Sequence, residues 1–212
     1  MFQEMFNGSI AVLTKPAVST FEEHEKNNLQ WALIYAVSAA VINAIIATLT
    51  APLRAGQVRA QLEASGMDPV QIDAAVAASQ GGLVGAILGA LIGTVIGSLI
   101  YWGIVYGLGR AFGGSGQFGE LAWGLALFSA PLSIVSNLLA VIPLVGGIAT
   151  FVLGIYGLYL TYLAIQSGMN LPSNKALYVI LILFAIFLIV FCSIFGVALL
   201  ALLGTGALQT AP

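Results

Sequence analysis

Glycine recurs at every fourth position in one apolar, uncharged stretch of the chain, as Gly81, Gly85, Gly89, Gly93 and Gly97. Four-residue spacing places these glycines on one face of a helix. In water, each glycine would weaken a helix by about 1 kcal/mol relative to alanine. In lipid, small residues at this spacing let two helix backbones approach closely. This stripe, called the glycine face below, therefore predicts an integral membrane protein whose helices pack through it.

The composition agrees with a membrane protein. Apolar residues make up 60% of the chain and charged residues 7%, against about 25% charged residues in soluble domains. The formal net charge is −2, and the few basic residues are too dispersed to form a patch. We therefore expect the lipid bilayer as a partner, and neither nucleic acid nor a broad anionic lipid surface.

Five uncharged runs are long enough to cross a bilayer. They cover residues 29–51, 81–109, 121–141, 144–166 and 176–203. Every Asp, Glu, Lys and Arg lies outside these runs. The predicted fold class is all-α, a bundle of five transmembrane helices over residues 29–204, with an amino-terminal segment (1–28) and a carboxyl tail (205–212).

The amino-terminal segment lacks the charge order of a secretory signal, so we expect it to be retained. Its apolar residues recur at three- and four-residue spacing, which predicts a short amphipathic helix in the membrane interface, ended by Lys15 and Pro16. Ser19 and Glu22 have the spacing of a capping box, which we place before the first span.

The sequence predicts the structure of two connections between spans. Residues 52–80 divide at 65–69 and predict two short amphipathic helices on the membrane surface, or alternatively a hairpin that binds a partner. Residues 142–147 contain one proline and two glycines, which favours a tight turn between spans three and four. The alternative is one kinked helix over 121–166, which is far too long for a single crossing.

The distribution of basic residues gives a weak orientation. Four lie on the amino-terminal side of a five-span arrangement and two on the other side. The four are Lys15, Lys26, Arg110 and Lys175, and the two are Arg54 and Arg59. The positive-inside rule then favours a cytoplasmic amino terminus and a translocated carboxyl tail.

Groups for catalysis or metal binding are scarce, and we expect no enzyme, no cofactor and no metal site. His24 is the only histidine, and its acidic neighbours are contiguous rather than spaced as ligands. Residues 114–119 match the dinucleotide-binding glycine pattern, but they link two spans rather than a strand and a helix, so we interpret them as a flexible loop. Cys192, the sole cysteine, is expected to be a buried apolar side chain.

Polar residues inside the spans are the remaining candidates for a site. Six stand out: Asn43, Thr94, Ser98, Ser133, Ser136 and Asn137. They can bond across helices as packing contacts, or they can line a route for a neutral solute beside a helix broken at Pro131. No ionisable side chain other than tyrosine or cysteine lies within the runs, which argues against a proton-coupled carrier.

The order of motifs from Tyr106 to Val179 resembles the Yip domain. The motifs are Phe112-Gly113-Gly114-Ser115-Gly116-Gln117-Phe118, Phe128-Ser129-Ala130-Pro131-Leu132, Ile142-Pro143-Leu144-Val145-Gly146-Gly147, Ile155-Tyr156-Gly157-Leu158-Tyr159-Leu160 and Ser173-Asn174-Lys175-Ala176. The opening Leu13-Thr14-Lys15-Pro16 with Phe21 is similar to the start of prokaryotic members. The resemblance implies a five-span membrane protein of the Ypt- and Rab-interacting type, with a cytoplasmic amino terminus.

In eukaryotic relatives the resemblance implies vesicle traffic, GTPase binding and homo- or hetero-oligomers. This chain lacks their long hydrophilic amino-terminal segment and their tyrosine-glycine-proline signature, so GTPase binding is not carried over to it. We expect a prokaryotic-type member in the cell membrane. The leading hypothesis is a non-enzymatic scaffold or adaptor that forms homo-oligomers or binds other membrane proteins, and the alternative is a passive channel or transporter for a small neutral solute.

Overall fold

The described residues form eight helices and no strand. A computed structural model describes the backbone of residues 1–79, 83–142 and 145–209, and the side chains of these except 78, 79, 83, 86, 191 and 194–209. The helices are α1 (Phe2–Thr14), α2 (Val18–Glu23), α3 (Leu29–Ala64), α4 (Pro69–Ser79), α5 (Leu83–Ala111), α6 (Phe118–Leu139), α7 (Val145–Gly168) and α8 (Ser173–Gln209). The predicted all-α fold class is confirmed.

Five of these helices are long and apolar enough to cross a membrane, which confirms the predicted number of spans. The qualifying segments lie in α3, α5, α6, α7 and α8. The separation of α6 from α7 also favours the turn over one kinked helix, although Pro143 and Leu144 of that turn lie outside the described residues. The first member of the glycine face, Gly81, lies outside them as well.

The buried side chains concentrate at one end of the bundle, which we call the packed end. This end joins α1, α2 and the start of α3 to the 112–117 and 169–172 connections. Its core contains the fully buried side chains Trp123, Leu121, Leu125, Leu160 and Ile165. At the other end, called the open end, α5 and α7 leave large apolar side chains exposed, among them Val84 at 72% and Phe151 at 69%.

Helix α1 packs on the packed end instead of only lying in the interface. Met5 and Val12 are fully buried, and a Cβ added at Gly8 would contact Leu127 of α6. The Ser9 hydroxyl is 2.8 Å from that of Tyr35 in α3. The other face, with Phe6 58% and Ile10 47% exposed, is also apolar. The predicted amphipathic helix therefore has one face on the protein and one face suited to lipid.

The capping box predicted at Ser19 and Glu22 is wrong as the start of the first span. Both residues lie within the short helix α2, whose N-cap is Ala17. The first span is capped by Asn28, whose Oδ1 accepts the Trp31 backbone N–H at 3.1 Å. An asparagine immediately before the apolar run satisfies an orphan helix donor, as an N-cap should.

The prediction of a separate helix after the first span is also wrong. Helix α3 continues through Pro52 to Ala64, although an internal proline removes one helix hydrogen bond. The continuation is anchored to α6, because Gln57 donates to the Val141 carbonyl at 3.0 Å. It then forms a hairpin with α4, where Ala55, Ile72 and Val76 are buried together.

The expectation that Cys192 is buried is wrong as well. It is exposed on α8, within a helix apolar enough to cross the membrane.

Candidate functional site

The structure brings most of the predicted intramembrane polar residues to one place. A cleft of about 350 Å³ lies between α3, α5 and α6 and is lined by Asn43, Thr94, Ser98 and Ser133. Ser129, which the site prediction did not include, also lines the cleft. Its seven-residue distance from Ser136 could have indicated a shared face of α6.

Small residues make the cleft possible. Its other walls are Ala36, Ala39, Ala40 and Ala130, together with Gly93 and Gly97 of the glycine face. A row of alanines on α3 opposite glycines on α5 leaves space that larger side chains would fill. The cleft and the glycine face are therefore continuous on α5.

The amide of Asn43 is fixed by bonds to α6. Its Nδ2 donates to the Ser133 hydroxyl at 2.9 Å, and Ser133 in turn donates to the Ala130 carbonyl at 2.7 Å. The Nδ2 of Asn137 donates to both the carbonyl and the side-chain oxygen of Asn43, at 3.0 and 3.1 Å. These bonds join α3 to α6 as interhelical packing contacts, which is one of the two roles predicted for them.

Three hydroxyls in the cleft make no such bonds. Within the described chain, the hydroxyls of Thr94, Ser98 and Ser129 have no protein hydrogen-bond partner. By contrast, Thr48 donates to the carbonyl four residues earlier, at 2.8 Å. The cleft thus presents free hydroxyls beside apolar walls, with no charged side chain among its lining residues.

Ser136 and Asn137 lie outside the cleft. Ser136 contributes its backbone carbonyl to the turn after α6, accepting from the Ala140 N–H at 2.9 Å. Asn137 continues the polar contacts toward the open end, where Arg54 donates to it. The six predicted residues therefore divide into four that line the cleft and two beyond it.

The glycine face does not contact its own chain. A Cβ added at Gly85, Gly89, Gly93 or Gly97 would have no atom within 4 Å. Other glycines are in close contact. A Cβ at Gly116 would overlap the Gly168 carbonyl at the packed end, and a Cβ at Gly146 would overlap the Leu139 carbonyl near the open end. The role of the stripe in packing stays a prediction.

The loop that carries the dinucleotide pattern is fixed rather than flexible. The Ser115 N–H donates to the Met169 carbonyl at 3.0 Å, and Gly113 has a positive φ of 89°. Gly114 and Gly116 let this loop lie directly on the end of α7. The glycines thus serve backbone contact between two connections, and no strand accompanies them among residues 83–142.

Carboxylates cluster at the packed end without forming a metal site in the described part of the chain. Burial raises the pKa of Glu25, and the nearby Glu120 and Glu22 raise it further, while a hydrogen bond with Ser167 opposes them. Lys26, which donates to Glu4 at 2.8 Å, lowers the pKa of that exposed carboxyl together with the amino terminus. The packed end therefore holds one carboxyl with a raised pKa, Glu25, and one with a lowered pKa, Glu4.

Comparison with known proteins agrees with the family resemblance seen in the sequence. No curated protein and no solved structure matches the chain. The family model described as the Yip1 domain matches residues 10–194, which include α2 to α7, the end of α1 and the first part of α8. The chain therefore belongs to the Yip1 domain family of membrane proteins.

Proposed function

We propose that this protein is a non-enzymatic membrane scaffold that assembles with further copies of itself through the glycine face. The observation that carries the proposal is the open space beside Gly85, Gly89, Gly93 and Gly97. Lipid tails gain little from a glycine stripe, whereas a second helix can approach it closely and gain van der Waals contact along its length.

The surroundings of the stripe support this proposal. Leu88, Ile92 and Ile96 on α5 are 54%, 61% and 53% exposed, so they flank the glycines with apolar side chains that a second helix can bury. Thr94 and Ser98 follow Gly93 and Gly97 by one residue and carry free hydroxyls. In such an assembly they would bond across the helix contact, which adds about 0.6 kcal/mol per bond in measured cases.

Crosslinking in native membranes tests the assembly. Gly89→Leu combined with Gly93→Leu should remove the crosslinked dimer, because two leucines would hold the helices apart. The matched control is Gly147→Leu combined with Gly154→Leu, since a Cβ at either of these α7 glycines also has no atom within 4 Å. A dimer that survives the α5 change, or is lost equally in the control, contradicts the proposal.

The orientation belongs to the same proposal. We place the amino terminus in the cytoplasm of a prokaryotic cell, supported by the four basic residues at the packed end and the two near the open end. A reporter enzyme active only in the cytoplasm should work when fused at Met1 and fail when fused at Pro212. The reverse result would overturn the orientation.

A second candidate function is passive permeation of a small neutral solute. It is favoured by the convergence of Asn43, Thr94, Ser98 and Ser133 on one cleft. Free hydroxyls can replace part of the hydration of an uncharged polar solute.

Liposome swelling distinguishes the two functions. With glycerol as the solute, permeation would fall in a Thr94→Val, Ser98→Ala double variant and persist in Ser38→Ala, whose hydroxyl bonds its own helix at 2.7 Å. Liposomes that swell no faster with the protein than without it would exclude this second function.

A further inference from the structure

Arg54 lies at the open end of the bundle without a carboxylate partner among the described residues, as does Arg110 at the packed end. Arg54 of α3 donates through Nε to the Thr50 hydroxyl at 3.1 Å. Its Nη2 donates to the Asn137 carbonyl at 3.2 Å and to the Asn137 side-chain oxygen. All these acceptors are neutral, and in the described part of the chain no carboxylate lies within 4.0 Å of the guanidinium.

The next arginine on the same helix differs in this respect. Arg59 pairs with Asp73 of α4 and lies 4.0 Å from Glu63. Its charge is thus balanced within the hairpin of α3 and α4. Arg54 keeps a full positive charge that the described protein does not neutralise.

The neighbours of Arg54 place it at the boundary of the hydrocarbon. Leu53 is 61% exposed, and Leu138 and Ile142 near the end of α6 are 51% and 48% exposed. At about 1.5 Å per residue, Arg54 lies about 37 Å along α3 from Leu29, just beyond a hydrocarbon core about 30 Å thick. The guanidinium therefore lies at the depth of the phospholipid phosphates.

The geometry of the side chain leaves donors for such a phosphate. A guanidinium has five N–H groups in a planar fork, and the bonds to Thr50 and Asn137 use those of Nε and Nη2. The two donors of Nη1 have no acceptor among the described residues. Arginine forks match phosphate oxygens well, and a charged acceptor roughly doubles the strength of each bond.

We propose that Arg54, held in place by Thr50 and Asn137, binds the phosphate of an anionic phospholipid. The lipid chains would lie along the exposed Leu53 and Leu138. The site is a single oriented arginine between two spanning helices rather than a basic patch, which is why the dispersed charges in the sequence did not indicate it. The proposal is independent of assembly through the glycine face, which lies on α5.

Binding of phosphatidylglycerol to the full chain tests the site. The protein is purified in a mild non-ionic detergent, and lipid binding is measured by native mass spectrometry. Arg54→Gln should weaken phosphatidylglycerol binding by at least about tenfold, the factor that a loss of 1.4 kcal/mol produces. Arg59→Gln, the matched control, should bind as the unchanged protein does. Equal binding by the Arg54 and Arg59 variants overturns the proposal.

Two further measurements address a variant that fails to fold and a site that binds a free anion. If circular dichroism shows that Arg54→Gln is unfolded, Arg54→Lys replaces it. A single ammonium cannot serve Thr50, Asn137 and a phosphate in one plane, so its binding should weaken by at least about threefold, and unchanged binding overturns the proposal. Inorganic phosphate should not displace the lipid, and displacement at comparable concentration would assign the site to a free anion instead.

Discussion

The two ends of the bundle are built from similar residues but packed very differently. At the packed end, glycines bring backbones into contact and the large side chain of Trp123 is buried. At the open end, glycines of the same kind on α5 contact nothing, and Phe151 is mostly exposed. In a membrane, a helix is stable whether or not its apolar face meets protein, so packing marks where the chain needs a fixed shape.

The packed end is fixed by connections as much as by helices. Trp123 Nε1 donates to the His24 carbonyl at 2.9 Å, and the Tyr156 hydroxyl donates to the Leu13 carbonyl at 2.7 Å. These bonds tie the amino-terminal segment to α6 and α7. The open end, in contrast, leaves one helix face and one arginine available to lipid or to a partner.

The largest difference between the ends should follow from removing an aromatic ring. Trp123→Ala removes a fully buried side chain and its bond to His24, and we expect a loss of about 3–5 kcal/mol in the free energy of unfolding. Phe151→Ala, at the open end, should change it by less than about 0.5 kcal/mol. Both losses are measured by unfolding the protein in mixed detergent and monitoring its helix content by far-UV circular dichroism, a signal that does not require Trp123. Similar losses would mean that the ends do not differ in packing.

The second-largest difference in stability between the two ends should follow from adding one methyl group at a glycine. Gly116→Ala places a Cβ against the Gly168 carbonyl, and we expect a cost of about 1–3 kcal/mol from overpacking. Gly89→Ala meets no atom and improves helix propensity, so the monomer should be unchanged or up to about 1 kcal/mol more stable. The same unfolding measurement applies, and a destabilised Gly89 variant would show that the stripe is already packed.

The polar contacts between α3 and α6 should have a smaller effect. Asn137→Ala removes the side-chain bonds to Asn43 and one of the three acceptors of Arg54, for an expected loss of about 1–2 kcal/mol. Ser136→Ala is the neighbouring control, because only its backbone carbonyl is used. The free energy of unfolding is measured for both variants. A loss in Ser136→Ala as large as in Asn137→Ala would contradict the stabilising role of the Asn137 side chain.

The smallest expected effect is a pH dependence confined to the packed end. The folded-state pKa of Glu25 is raised above 4.5, so the folded state binds more protons than the unfolded state between 4.5 and that higher value. Raising the pH through this window should lower stability, and Glu25→Gln should abolish the decrease. Glu4 has the opposite sign, because its lowered pKa stabilises the fold above 4.5 and this contribution is lost as the pH falls.

A titration of unfolding stability against pH separates the two carboxyls. Glu25→Gln should flatten the profile above pH 4.5 and leave the acid limb in place, whereas Glu4→Gln should do the reverse. A decrease that persists in the Glu25 variant would show that the raised pKa of Glu25 is not its cause.

Much of this architecture could be predicted from local patterns. Uncharged runs gave the five spans, and Pro16 correctly marked the end of α1. Predictions failed where distant residues decide the outcome. Helix α3 continues past Pro52 because Gln57 and Arg54 bond to α6, and no local signal reports that contact.

The candidate site shows the same division. Asn43, Thr94, Ser98 and Ser133 were recognisable as polar residues at membrane depth, but only the packing of α3, α5 and α6 brings them to one cleft. Ser129 lies four residues before Ser133, a spacing that places both on one face of α6, but only the fold shows that this face lines the cleft. Arg54 was recognised only as a flanking charge, since its neutral partners come from the fold.

By itself, the sequence determined that the chain crosses a membrane five times as helices. Lipid imposes that result locally, because every backbone group must be satisfied within its own segment and any uncharged run of sufficient length will do so. The tertiary structure alone decided which glycines are in contact, which polar residues meet and which neutral groups hold Arg54. Between helices in lipid there is little hydrophobic preference for one partner over another, so shape and hydrogen bonds between distant residues make that choice.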